Sequence, residues 1–154
     1  MTAETHERIT TIPHSFRRTV AAVSRLREAG IHVHTNTTIC RDNVDEIERM
    51  PAFVKHELKG TKFSMNLVVP TGSAALHRQT AVRYSEIGPT LARIAKASRE
   101  LGVDFMWYSP TPMCMFNPVA HGLGNKGCSA CDGLLSVAAN GAVLPCASYD
   151  EPVG

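Results

Sequence analysis

Residues 15–39, SFRRTVAAVSRLREAGIHVHTNTTI, decide the fold class. Phe16, Val20, Val23 and Leu26 recur at helical spacing. Ser15 precedes them as an N-cap, and Gly30 follows them as a stop. The next nine residues alternate and are rich in β-branched side chains, which predicts a strand over 31–39. Ile31, Val33, Thr35 and Thr37 then face one way, and His32, His34, Asn36 and Thr38 the other. The unit is one helix feeding one strand.

The same unit repeats downstream. NVDEIERMPAFVKHEL (43–58) reads as a second helix that Pro51 should break or kink. KFSMNLVV (62–69) is a second strand, closed by the turn PTGSA. A third helix is expected from about Ser85 to Leu101, with Pro89 as an alternative start. VDFMWYS (103–109) is a third strand. Helix and strand alternate throughout, so the expected class is α/β with parallel strands and crossover helices.

The texture changes after Ser109. PTPMCMFNPVAHGLGNKG lacks periodicity and is rich in Pro and Gly, as a linker or site loop is. LLSVA and AVLP then flank Asn140-Gly141, a hairpin signal. The reading divides the chain at this point, into 1–109 and 110–154.

Composition bounds the function. The 154 residues are 44% hydrophobic and 19% charged, with a net charge of +2, so a folded domain is expected. Acids and bases are interspersed, which gives no electrostatic case for nucleic acid or membrane partners. No apolar run approaches the ~20 residues of a membrane helix, and the first residues lack a signal-like apolar core. A cytoplasmic location is the expectation. Five cysteines occur, and Cys114, Cys128, Cys131 and Cys146 cluster near the end. In such a compartment clustered cysteines point to metal or redox chemistry before disulfides. Cys40 stands apart and reads equally well as inert packing.

A hairpin brings its two ends within about a strand spacing, ~5 Å. Cys128 before it and Cys146 after it could then share one metal centre. Iron–sulfur clusters take cysteine thiolates, usually four, and structural zinc also takes four ligands. Both readings stay open on these residues, with Cys114 or His121 as further candidate ligands. The zinc alternative is a zinc-stabilised binding module.

The larger pattern is Cys128-x12-Gly141-x4-Cys146 with Pro145 before the last cysteine. It resembles the opening of the SPASM domain, the auxiliary-cluster extension of radical S-adenosylmethionine (SAM) enzymes. Cys131 stands where that family usually has Gly, so it reads as ligand, substitute ligand or bystander. Upstream, His6-Glu7-Arg8-Ile9 resembles the start of a radical SAM barrel segment. Asn36-Thr37-Thr38 with Asn43 resembles its strand end, and NLVVPTGSA (66–74) the next strand.

The resemblance implies the C-terminal βα units of a partial TIM-like barrel, followed by the start of an auxiliary-cluster domain. It implies a [4Fe–4S] cluster held by Cys128, Cys131, Cys146 and Cys114. It also implies SAM contacts at Asn36, Val69 and Pro70. The activity implied is that of an oxidoreductase, or of a maturase acting on a peptide or protein. The C-x3-C-x2-C motif that holds the SAM-cleaving cluster in that family is absent from this sequence. The chain alone is therefore expected to be inactive. A missing N-terminal half of the barrel, on the same or another chain, is the expected partner, and an unpaired first strand should invite association.

Overall fold

A computed structural model describes residues 1–124, 126–130, 132–149 and 151–154. Three parallel strands form its sheet: β1 (Thr35–Ile39), β2 (Lys62–Leu67) and β3 (Asp104–Trp107), in the order β1-β2-β3. Thr35 lies opposite Phe63, and Phe63 opposite Phe105. Helices α2 (Ser15–Glu28), α3 (Met50–His56) and α4 (Tyr84–Leu101) alternate with the strands. The expected α/β alternation is present.

Alternation along each strand sorts the side chains onto two faces. Ile39, Phe63, Met65, Leu67, Phe105 and Trp107 are buried on one of them. They join Val54 of α3 and Ile87, Leu91 and Ile94 of α4 in one core. Phe63 and Phe105 stack with ring centroids 5.1 Å apart. Burying each such side chain contributes about 1.5–3 kcal/mol, which is why this face sets the register.

Several boundaries differ from the sequence expectation. Strand β1 starts at Thr35 rather than residue 31; in its register with β2, which begins at Lys62, residues 31–33 would fall opposite positions ahead of that strand. The helix expected over 43–58 is divided. Turns and a 3-10 segment (Ile47–Arg49) precede α3, and Pro51 falls in its first turn, where a missing N–H costs nothing. Pro89, by contrast, lies inside α4, which begins at Tyr84. Burial of Ile87 and Gly88 holds the turn that Pro89 weakens, with Gly88 against the Phe116 side chain.

A further helix, α1 (Ala3–Thr10), precedes α2 and was not expected. The Thr2 hydroxyl caps it by accepting from the Thr5 N–H. Helix α2 starts at Ser15 as expected, but its cap residue is His14 in the left-handed region (φ 62°). Its apolar stripe is only partly covered: Val23 is buried, whereas Leu26 is 41% exposed.

The Cys-bearing segment forms a two-stranded antiparallel ribbon, β4 (Ser136–Val137) with β5 (Val143–Leu144). Its loop holds three residues rather than the two of Asn140-Gly141. The Ala138 N–H donates to the Ala142 carbonyl, and the Gly141 N–H to the Ala138 carbonyl. Gly141 has φ 87°, the left-handed position that a three-residue hairpin loop needs.

Candidate functional site

Among the described residues the apolar helix-packed core lies on the first face of the parallel sheet, not on the second. The second face presents His34, Asn36 and Thr38 from the β1 segment, Lys62, Ser64 and Asn66 from β2, and Asp104, Met106 and Tyr108 from the β3 segment. Eight of these nine side chains are polar or ionisable. Parallel sheets normally bury both faces under apolar side chains. A polar second face is suited to line a ligand-binding interior instead.

A hydrogen-bonded chain crosses this face. The Leu67 carbonyl can only accept, so the Asn66 carboxamide turns its Nδ2 toward it, at 2.9 Å. Asn66 Oδ1 then accepts from Asn36 Nδ2 at 2.7 Å. Asn36 Oδ1 in turn accepts from the Ser64 hydroxyl at 2.8 Å. One backbone carbonyl thus fixes the orientation of both amides. Each amide keeps one N–H outside the chain, so the face offers donors to a ligand.

The C-terminal ends of the three strands are tied by side chains. Asn43, 2% exposed, accepts from the Cys40 N–H and donates to the Thr38 carbonyl, both at 2.9 Å. The buried Ser109 hydroxyl accepts from the Leu67 N–H at 2.8 Å. Thr111 accepts from Trp107 Nε1 at 2.8 Å and donates to the Ser109 carbonyl at 2.9 Å. In α/β folds ligands bind outside the carboxyl ends of strands, and this rim is pre-organised there.

The sites expected from sequence fall in three places. Asn36 belongs to the polar face and is exposed. Val69, 52% exposed, and Pro70 follow β2 at the rim. Thr71 N–H donates to the Val69 carbonyl at 2.8 Å, and Pro70 has no N–H. This strand end offers a flat ring apolar surface more than free backbone groups.

The cysteines are the third place. Cys114 and Cys128 are exposed, and Cys146 is half-buried. Cys146 Sγ accepts from the Ser148 N–H at 3.4 Å, a contact of the kind that stabilises ligating thiolates. Cys131 lies outside the described residues. Among the described residues no three of His, Cys, Asp or Glu converge as metal ligands. The described thiols suit iron or zinc in kind but do not by themselves complete a site. His121, a further candidate ligand, stacks face to face on Phe116 with ring centroids 4.9 Å apart. Cys40 is 7% exposed, and burial pushes its thiol pKa up, which disfavours the thiolate a metal needs.

Ser64, Asn66, Tyr108 and Lys126 were not singled out from sequence. The polar alternation of Ser64 and Asn66 inside an otherwise apolar strand was the available signal. Lys126 had none, because its position over the Tyr108 ring, 5.4 Å from the centroid, is set by the path of the loop.

No family model matches this chain. Three curated relatives match parts of it. It is 36% identical over 70 residues to an AdoMet-dependent heme synthase of Methanosarcina barkeri, covering 46% of this chain and 20% of that protein. It is 32% identical over 88 residues to a protein of the same name from Oleidesulfovibrio alaskensis, covering 55% and 22%. The Nitratidesulfovibrio vulgaris protein of that name is 31% identical over 88 residues, covering 55% and 24%. The match thus spans less than a quarter of each relative's length. No solved structure matches. Among the described residues no helix is long and apolar enough to cross a membrane.

Proposed function

We propose that this chain is part of a radical SAM enzyme and contributes late barrel strands whose polar face lines the SAM- and substrate-binding interior. The polar second face of a parallel sheet carries this reading, with its oriented Ser64–Asn36–Asn66 chain. The relatives support it, since an AdoMet-dependent heme synthase takes AdoMet as co-reactant. Bound in the whole enzyme, SAM and its reducing cluster would supply a carbon radical. The residues here position and enclose. Asn36 and Asn66 donate to ligand oxygen or ring nitrogen, while exposed Val69 and Pro70 lie against a ring. The rim bonds of Asn43, Ser109 and Thr111 keep the strand ends still.

The β4–β5 ribbon is the proposed opening of an auxiliary-cluster domain, with Cys146, Cys128, Cys131 and Cys114 as candidate [4Fe–4S] ligands. The sequence pattern and the N–H contact to Cys146 Sγ support this. An oxidoreductase or peptide-maturase activity for the whole protein is the family-level extension.

The test of the barrel reading is an NMR titration of the chain with S-adenosylhomocysteine. The side-chain amides of Asn36 and Asn66 should shift, and Asn36→Ala should weaken binding at least tenfold. No shift at either amide overturns the reading. Anaerobic reconstitution tests the ribbon. Iron and sulfide lost on Cys146→Ala support the cluster, whereas a colourless sample with one zinc per chain assigns the cysteines to a zinc module.

A further inference from the structure

The tip of the β4–β5 ribbon carries a chemistry of its own. Only Asn140 among the asparagines is followed by glycine. Asn36, Asn43 and Asn66 precede Thr37, Val44 and Leu67, Asn117 precedes Pro118, and Asn125 precedes Lys126. An asparagine is open to attack at its own Cγ by the backbone nitrogen of the next residue. A side chain on that residue shields the nitrogen, and a proline nitrogen carries no proton to lose. Glycine leaves the nitrogen uncovered.

The surroundings of Asn140 favour the same attack. Asn140 and Gly141 are both exposed, and nothing lies within 4 Å of where a Gly141 Cβ would stand, so water and hydroxide reach the nitrogen. The Ala142 N–H donates to Asn140 Oδ1 at 3.1 Å. That bond bends the carboxamide back over the Gly141 peptide, as an Asx turn does. It also stabilises the negative charge that Oδ1 gathers when Cγ is attacked. One contact opposes the attack: the Gly141 N–H donates to the Ala138 carbonyl at 2.9 Å. The nitrogen is therefore held until the loop opens.

We propose that Asn140 is a self-modifying site: it deamidates through Gly141 when the loop opens, and the product keeps the ribbon open. Gly141 N loses its proton to hydroxide and bonds to Asn140 Cγ. The Cγ–Nδ2 bond breaks, and Nδ2 takes a proton from water and leaves as ammonia. Water then opens the succinimide ring at either carbonyl. Cleavage at Cγ leaves an aspartyl residue, and cleavage at the main-chain carbonyl carbon leaves an isoaspartyl one. No oxidation state changes in either step. The isoaspartyl product routes the main chain through Cβ and Cγ, which adds a backbone carbon to the loop. The two bonds that join Ala138 to Gly141 and Ala142 then no longer fit. Cys146 lies two residues past β5, so its position loosens with the ribbon.

The test is to age the chain at 37 °C between pH 6 and pH 8 and follow its peptides by mass spectrometry. The peptide holding Asn140 should gain the mass of an amide-to-acid exchange at least tenfold faster than those holding Asn36, Asn43 or Asn66, at a rate that climbs with pH. Asn140→Gln, whose amide must close a six-membered ring, should slow the gain at least tenfold. Urea below the transition of the β1–β3 sheet should speed it, because the Gly141 nitrogen is released. In the aged chain the Ala138 amide should exchange faster than in Asn140→Asp, which has the acid without the lengthened backbone. A rate at Asn140 equal to that of the other asparagines overturns the proposal, as does an equal rate in Asn140→Gln. A rate indifferent to urea overturns the gate. An aged chain whose Ala138 amide exchanges as in Asn140→Asp overturns the opening of the ribbon.

Discussion

Asn43 shows how one side chain can hold a strand end. Its carboxamide bonds two backbone groups across the β1 turn, and it is almost fully buried. Removing it leaves a buried N–H and a partly buried carbonyl without that partner, and the buried group alone costs about 1–3 kcal/mol. Asn43→Ala should therefore lower the urea midpoint, by the equivalent of about 2 kcal/mol or more, without changing the m-value. An unchanged midpoint would remove Asn43 from the rim. At this scale the sequence was partly legible. Asn36 and Asn43 stood out through a resemblance, and the alternation of 31–38 put His34 and Asn36 together. Lys126 and Tyr108 were invisible as a pair, because their meeting depends on a loop without periodicity.

Elements were legible where hydrophobic period and length agreed. Helix α4 was clear because Ile87, Leu91, Ile94 and Ala95 repeat at helical spacing. Helix α1 was missed because its eight residues hold only Ala3 and Ile9 as apolar positions, too few to show a helical period, and only Thr5 is buried. Its stability comes from capping and from Glu46, which accepts from the Thr2 N–H at 2.7 Å and from the Thr5 hydroxyl. Those partners lie more than forty residues away, beyond any local pattern. The ribbon was legible from Asn140-Gly141, but its loop length was not. Gly141 at φ 87° is the position where a Cβ is strained. Gly141→Ala should cost about 1–2 kcal/mol locally. Hydrogen exchange of the Ala138 amide, bonded to Ala142, should speed up, with the β1–β3 amides unchanged. Equal acceleration in both sheets would show that ribbon and core unfold together.

Across the whole molecule, two carboxylates tie the helices to one another. The Thr5 hydroxyl, and then the Thr2 N–H and hydroxyl, hold the Glu46 carboxyl below its usual range against the opposing effect of burial. The Arg93 hydrogen bond and charge do the same for Glu48, linking the 3-10 turn to α4. Depressed carboxyls stabilise fully above the unfolded value, about pH 4.3, and the gain is lost as pH falls through the lower folded values. Stability from these groups should thus be level from neutral pH down to about pH 5 and decline below about pH 4. Glu46→Gln should remove part of that decline, read as a smaller drop in urea midpoint between pH 6 and pH 3.5, roughly the window set by such groups. A slope identical to the parent would exclude Glu46. The sheet itself ends at β1 and β3 with no further strand paired to either among the described residues. The α/β class was readable because helix and strand alternate through 15–109, whereas no local pattern states what would pair with either edge strand.

Trp107, the chain's one tryptophan, has a consequence of its own. It is 2% exposed on the helix side of β3 and donates to Thr111. Its emission is a built-in gauge of that layer: dim to events in the cysteine ribbon, bright to any loosening of α4 from the strands. Melting curves followed by its colour will report the core alone, and a second dye or isotope label is needed to see the ribbon let go.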